Sequence, residues 1–164
     1  MYDSSRLHDL MHYERGTGVP VTDQQLAALR AYLVGDWDLY RELFGQLARR
    51  EAGKEYSALI TAAFAEAAER YFRRNYTQGD IVAFVGHARA RSERAAGALE
   101  PEVAERVINA VLGDTTTRDL DRKAVVGTQV VLLAALIAEE NLDSTALGRA
   151  LADARNLADQ ILGG

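Results

Sequence analysis

Residues Ala124 to Ala138 read AVVGTQVVLLAALIA, an apolar run broken only by a Gly-Thr-Gln tripeptide. At 100° per residue, its valines and leucines occupy every side of a helix. A helix that is apolar all round is buried in a protein core, in an oligomer interface or in a membrane. Fifteen residues between charged flanks are too few to cross a bilayer. We therefore expect a central helix over about 119–141 that lies in a core or an oligomer interface, with no membrane contact.

The one amide in this run, Gln129, needs a hydrogen-bond partner if it is buried, because an unpaired polar group costs about 1–3 kcal/mol. Near a two-fold axis it could pair with its copy in a second chain, as a buried amide does in coiled coils. It could equally bond to a backbone carbonyl or to groups near Thr128 in its own chain. Both alternatives stay open here, and the first predicts a homodimer.

On both sides of this run the chain continues in helical patterns. The sequence is rich in Ala, Leu and Arg, which head the helix-propensity scale. Thr22 and Gln25 form a capping-box pattern, Pro101 suits the first turn of a helix, and Asp143 can cap the last helix. No segment alternates with period two for long. The sequence predicts an all-α, single-domain bundle of six to seven helices.

The organisation of the chain is simple. We expect a polar N-terminal lead-in over 1–21 and a helical domain over 22–164, with a soft division near 75–77. The 164 residues carry a net charge of -5 and are 48% hydrophobic, which excludes global disorder. No signal-like apolar run follows the first residues, so we expect a cytoplasmic protein. The sequence pI of about 5.2 lacks the basic footprint of nucleic-acid-binding proteins.

Several familiar chemistries are missing from the sequence. The absence of Cys excludes thiolate zinc sites, disulfides and Cys nucleophiles. No Glu is followed three residues later by His, so the di-iron bundle pattern is absent. His8 and His12 share a helical face but have no evident third ligand, which a catalytic zinc requires, and a solvent-exposed pair is the preferred interpretation. We expect no cofactor, and enzymatic activity is disfavoured.

Cationic side chains end the third predicted helix and continue along the fourth. The candidate residues for binding an anion or an acidic partner are Arg70, Arg73, Arg74, His87, Arg91 and Arg94. On a helical wheel, His87, Arg91 and Arg94 share one flank. Arginine offers a bidentate fork to phosphate or carboxylate. The alternative is that these residues are ordinary surface cations and helix-dipole partners.

A second candidate cluster consists of carboxylates. Glu139, Glu140 and Asp143 read E-E-x-x-D, which resembles the E-E-x-x-E pattern of all-α nucleotide pyrophosphohydrolases. Members of that family bind Mg²⁺ through clustered acidic residues, and the resemblance would imply the same here. The second half of the family's pattern is absent from this sequence. Two glutamates at a helix C-terminus also oppose the macrodipole, at a cost of about 0.3–1 kcal/mol each. A solvated helix end beside a capping Asp is the alternative interpretation.

Three functional hypotheses follow from these patterns. The leading one is a non-catalytic interaction or regulatory protein that acts as a homo-oligomer, with a further protein partner as an option. Its rival is a small metal-dependent phosphohydrolase, in which the three carboxylates bind metal and arginines of the 70–94 region hold phosphate. A third is a ligand-sensing bundle with an internal pocket lined by Trp37, Phe64 and Phe84.

Overall fold

The computed structural model describes residues 19–47, 53–73, 75–113 and 115–163, and every regular element in these ranges is an α-helix. The helices are α1 (Asp23–Val34), α2 (Trp37–Gln46), α3 (Lys54–Phe72), α4 (Gln78–Ala90), α5 (Glu93–Ala98), α6 (Pro101–Leu112), α7 (Arg122–Glu140) and α8 (Ser144–Gly163). The all-α class and the helical-bundle architecture are confirmed. The described part of the chain has eight helices, and not six to seven, because the predicted fourth helix is divided into α4 and α5.

The helices belong to two compact units. Unit 1 combines the described residues up to Ala63 with those from Asn141 onward, and unit 2 runs from Phe64 to Glu140. These boundaries in sequence differ from the soft division expected near 75–77. In unit 1, α1 packs against α2 and α8. In unit 2, α4 packs against α5, α6 and α7, and α7 also contacts α5 and α6.

The helix ends follow the local chemistry of the sequence. Thr22 and Gln25 form the expected capping box, in which the Gln25 N–H donates to Thr22 Oγ1 and the Thr22 N–H donates to Gln25 Oε1. Asp143 caps α8, since the Ala146 N–H donates to its Oδ1 at 2.7 Å. Gly35 ends α1 with φ 78°, a left-handed conformation that glycine adopts without strain. Most of the predicted 1–21 lead-in lies outside the described residues.

The most completely enclosed helix is α3, which differs from the expectation. Between Tyr56 and Ala68, every side chain except Ser57 and Glu66 is buried. By contrast, α7 buries eight of its nineteen residues and leaves its remaining side chains at least partly exposed. The helix predicted to be central over 119–141 is therefore one-sided. The alanines of α3 account for this difference. Their small side chains add little to the hydrophobicity of the sequence pattern, but they allow neighbouring elements to approach the helix closely.

Gln129 is enclosed by its own chain. Its side chain is 2% exposed, and it has an interaction partner within the chain. This burial favours the own-chain alternative, since the described chain covers the Gln129 side chain and does not present it to a second copy. No helix among the described residues is both long enough and apolar enough to span a membrane.

Candidate functional site

The first feature of the site is an ion pair between the two predicted clusters. Arg70, in the last turn of α3, donates from Nε and Nη2 to the Glu140 carboxylate at the end of α7, with N···O distances of 2.9–3.2 Å. The Arg70 side chain is 39% exposed and that of Glu140 is 18% exposed. This bidentate pair joins the C-terminal ends of α3 and α7, and both of these ends lie in unit 2. It also places a cation beside a glutamate that would otherwise oppose the helix dipole.

A second pair repeats this arrangement beside the first. His87 Nε2 on α4 lies 2.7 Å from Glu139 Oε1 on α7. The cationic cluster and the acidic cluster were predicted as separate sites. In the structure, two members of each cluster meet and satisfy one another.

The remaining predicted cations do not converge on this place in a single row. The prediction that Arg91 and Arg94 share a helical flank with His87 is wrong, because α4 ends at Ala90 and a new helix begins at Glu93. Ser92 causes this restart: its Oγ accepts the Ala95 N–H at 3.0 Å as an N-cap. The Ser-Glu sequence at 92–93 is the signal that could have revealed the break.

Other predicted site residues have separate surroundings or lie outside the description. Arg73 follows α3 with a left-handed φ of 52°. Arg74, His8 and His12 lie outside the described residues. Asp143 serves as the α8 cap, so each of the three carboxylates proposed for metal has a protein partner. In the part of the chain that the structure describes, no group of three or more His, Asp or Glu side chains is arranged to hold a metal ion.

An open cleft of about 490 Å³ lies in unit 2 beside the His87–Glu139 pair. Its aromatic lining consists of Tyr71, Phe72, Tyr76 and Phe84. Its charged or titratable lining consists of Asp80, His87 and Glu139. Of the three aromatic residues predicted to line an internal pocket, Phe84 is the one that lines this cleft. The sequence gave no signal that Tyr71 would line a cleft with Phe84.

The rings of the cleft form a connected group. The Tyr71 centroid lies 4.9 Å from those of Phe72 and Phe84, and the Phe72 centroid lies 6.1 Å from that of Tyr76. Phe72 and Phe84 are buried, whereas Tyr71 is 42% exposed. Such ring pairs prefer edge-to-face or offset geometry and contribute about 0.5–1.5 kcal/mol beyond area burial. The cleft therefore has a rigid floor and one accessible aromatic wall.

A different surface of interest lies in unit 1, at the turn between α1 and α2. We call Val34, Trp37 and Leu39 the α1–α2 turn surface; they are 56%, 39% and 40% exposed. The rings of Tyr32 and Trp37 meet edge to face, with centroids 5.1 Å apart. None of the ten residues of α2 is buried. This helix thus lies on the surface of the described structure, with Trp37 and Leu39 both partly exposed.

Tyr56 and the Arg106–Asp119 pair have shifted pKa values, and none of these three residues lines the cleft. Burial raises the pKa of Tyr56, and the neighbouring Tyr40 raises it further through charge repulsion and a side-chain hydrogen bond. The guanidinium of Arg106 donates to both oxygens of Asp119, at 2.6 and 3.0 Å, and lowers the pKa of that carboxyl. Both effects follow from local structure.

Comparison with known proteins adds no assignment to this geometry. No protein family, curated protein or solved structure matches the chain.

Proposed function

We propose that this chain is a non-catalytic interaction protein of the cytoplasm that acts as a homo-oligomer, with the α1–α2 turn surface as its self-contact. One observation carries the proposal. Among the described residues six large apolar side chains are exposed, and three of them, Val34, Trp37 and Leu39, lie within six positions. Scattered exposed apolar residues are ordinary, but a concentration of them in one short segment favours a protein contact.

The side chains around this surface favour a second copy as its occupant. Asp38 and Arg41 form an ion pair on α2, 95% and 72% exposed, beside Trp37 and Leu39. A surface that carries both signs of charge next to apolar groups can pair with a second copy of itself without like-charge repulsion. Most homo-oligomers use such isologous contacts, in which each copy presents the same surface. Trp and Tyr also supply rigid contact area at little conformational cost.

The pairing of the candidate site residues supports a role without catalysis. Arg70 and His87 are each held by a glutamate of α7, which suits helix-to-helix fastening. A phosphohydrolase would instead need these glutamates to face a metal and these cations to face phosphate.

The oligomer is tested by the mass of the chain in solution. Light scattering and sedimentation velocity, from low micromolar to submillimolar protein, should show a shift from monomer to dimer. Trp37 is the one tryptophan of the sequence, so its emission should shift to the blue over the same range. A monomeric mass at every concentration would overturn self-association.

A matched pair of variants locates the contact. Leu39→Gln should weaken dimerisation about tenfold or more, because each dimer loses two buried leucine side chains. Val82→Gln, at an equally exposed apolar position on α4, should leave the dissociation constant unchanged. Equal effects of the two substitutions would contradict the assignment to the α1–α2 turn surface.

A further inference from the structure

The cleft of unit 2 has a composition that the proposed self-association does not use. We infer that it binds a small organic cation, an alkylammonium or guanidinium compound, held between the ring of Tyr71 and the carboxylates of Asp80 and Glu139. All of these residues belong to unit 2, whereas the α1–α2 turn surface belongs to unit 1. Cation binding and self-association can therefore succeed or fail separately.

The aromatic wall provides the first half of the recognition. A ring face carries partial negative charge, and a cation within about 6 Å of its centroid is attracted to it. Tyr71 lines the cleft and is 42% exposed, and its ring centroid lies 4.9 Å from those of Phe72 and Phe84. A ring already fixed by its neighbours loses little freedom when a ligand stacks on it. Tyr71 is thus a preformed surface for an ammonium or guanidinium group.

The charges of the lining provide the second half. Asp80 and Glu139 contribute two carboxylates, and among the described residues of the lining there is no Lys or Arg. His87 lies 2.7 Å from Glu139. A positive charge on His87 would offset only one of the two negative charges. Asp80 accepts the Thr77 N–H through Oδ2 at 2.8 Å, a bond that fixes the carboxylate and leaves its charge in place. The charges of the cleft therefore favour a cationic ligand. The sequence, in contrast, predicted that His87 would help to bind an anion.

The size of the cleft indicates a whole small molecule. A volume of about 490 Å³ lies within the range of small-molecule sites. It exceeds the space that one ammonium group needs, so an apolar body can lie along the rings while the charged end meets the carboxylates. This division of lining into apolar walls and a few polar groups is usual for ligand pockets.

The test is an NMR titration of the full chain at constant ionic strength. Tetramethylammonium and agmatine are the cationic probes, tert-butanol is the neutral probe of similar size, and inorganic phosphate is the anionic probe. Saturable shifts of the Tyr71, Ala83 and His87 amides with the two cations are expected, with the Trp37 signals unchanged. Neither tert-butanol nor phosphate should produce them.

Variants connect the shifts to the two halves of the cleft. Tyr71→Leu should weaken cation binding about 2- to 5-fold, the effect of one exposed cation–ring contact. Tyr71→Phe keeps the ring and should bind as the native chain does. Glu139→Gln should also weaken binding about 2- to 5-fold, whereas Glu102→Gln, an exposed acid on α6 outside the lining, should not.

Three results would each overturn the inference. They are the absence of saturable shifts with either cation, an equal response to tert-butanol, and a response of the same amides to phosphate. If Tyr71→Leu fails to fold, as shown by its circular dichroism, the comparison of Glu139→Gln with Glu102→Gln decides the matter. Equal cation affinity in that second pair would count against the proposal.

Discussion

Disruption of the Arg70–Glu140 pair should cost measurable stability, because this pair is better formed than an ordinary surface ion pair. Three N···O contacts of 2.9–3.2 Å join the groups, and Glu140 keeps only 18% exposure. Two unit charges 4 Å apart interact by about 1 kcal/mol in water and by about 4 kcal/mol at an effective dielectric constant of 20. Arg70 is 39% exposed, so solvent screening keeps the net value near the lower figure. We expect a coupling free energy of about 1–2 kcal/mol.

A double-mutant cycle measures this coupling. The variants are Arg70→Met, Glu140→Gln and the double mutant, and the readout is the free energy of unfolding in urea followed by circular dichroism. The same cycle on Asp38 and Arg41, measured at a protein concentration where the chain is monomeric, is the matched control, since that pair is 95% and 72% exposed in the single chain. The control coupling should stay below about 0.5 kcal/mol and should vanish in high salt.

The outcome separates a structural fastening from a catalytic site. If the Arg70–Glu140 coupling is no larger than that of the control pair, the fastening role is refuted. The rival function has its own signature in this experiment. A rise in the unfolding midpoint with Mg²⁺ that Glu140→Gln abolishes would show that the carboxylates serve a metal ion.

Two further predictions concern backbone conformation and pH. Gly35→Ala should destabilise the chain by about 1–2 kcal/mol through its φ of 78°, whereas Gly86→Ala inside α4 should stabilise it by about 0.5–1 kcal/mol. An added Cβ meets nothing within 4 Å at either position, so equal effects on urea unfolding would contradict the reasoning from conformation. The pKa of Tyr56 is raised in the folded chain, chiefly by burial, so its stabilising contribution is complete below about pH 10 and is lost as pH rises above that value. Ultraviolet absorbance should show one tyrosine that ionises only when the chain unfolds at alkaline pH. Tyr56→Phe should reduce the loss of stability at alkaline pH. Ionisation of Tyr56 in the folded chain would contradict this prediction.

Local chemistry made the all-α class and several helix ends predictable. The capping box at Thr22 and the cap at Asp143 each depend on groups within three residues of one another, and such contacts can be seen in a sequence. The same is true of Gly35, whose lack of a side chain suits the left-handed turn after α1. The break at Ser92 had a comparable signal, since Ser92 caps a new helix through the Ala95 N–H.

The site was not predictable by the same means. Arg70 and Glu140 are separated by 70 positions, and His87 and Glu139 by 52, so no spacing rule connects them. Both clusters were found by charge and residue type, but their mutual neutralisation depends on how the helices of unit 2 pack. The cleft has the same origin, since its lining combines residues of α3, α4 and α7 with Asn75 and Tyr76 from the connection between α3 and α4.

The enclosure of α3 also restricts how this chain can change over evolutionary time. The alanines between Tyr56 and Ala68 are at most 6% exposed, so a larger residue at these positions has no open space to enter. Adding methylene groups to a filled interior costs about 1–3 kcal/mol. The valines and leucines of α7 can be replaced by apolar residues of similar volume at lower cost, because a core tolerates substitutions that keep its total volume. Homologues of this protein should therefore be recognised less by their most apolar helix than by the small residues of α3.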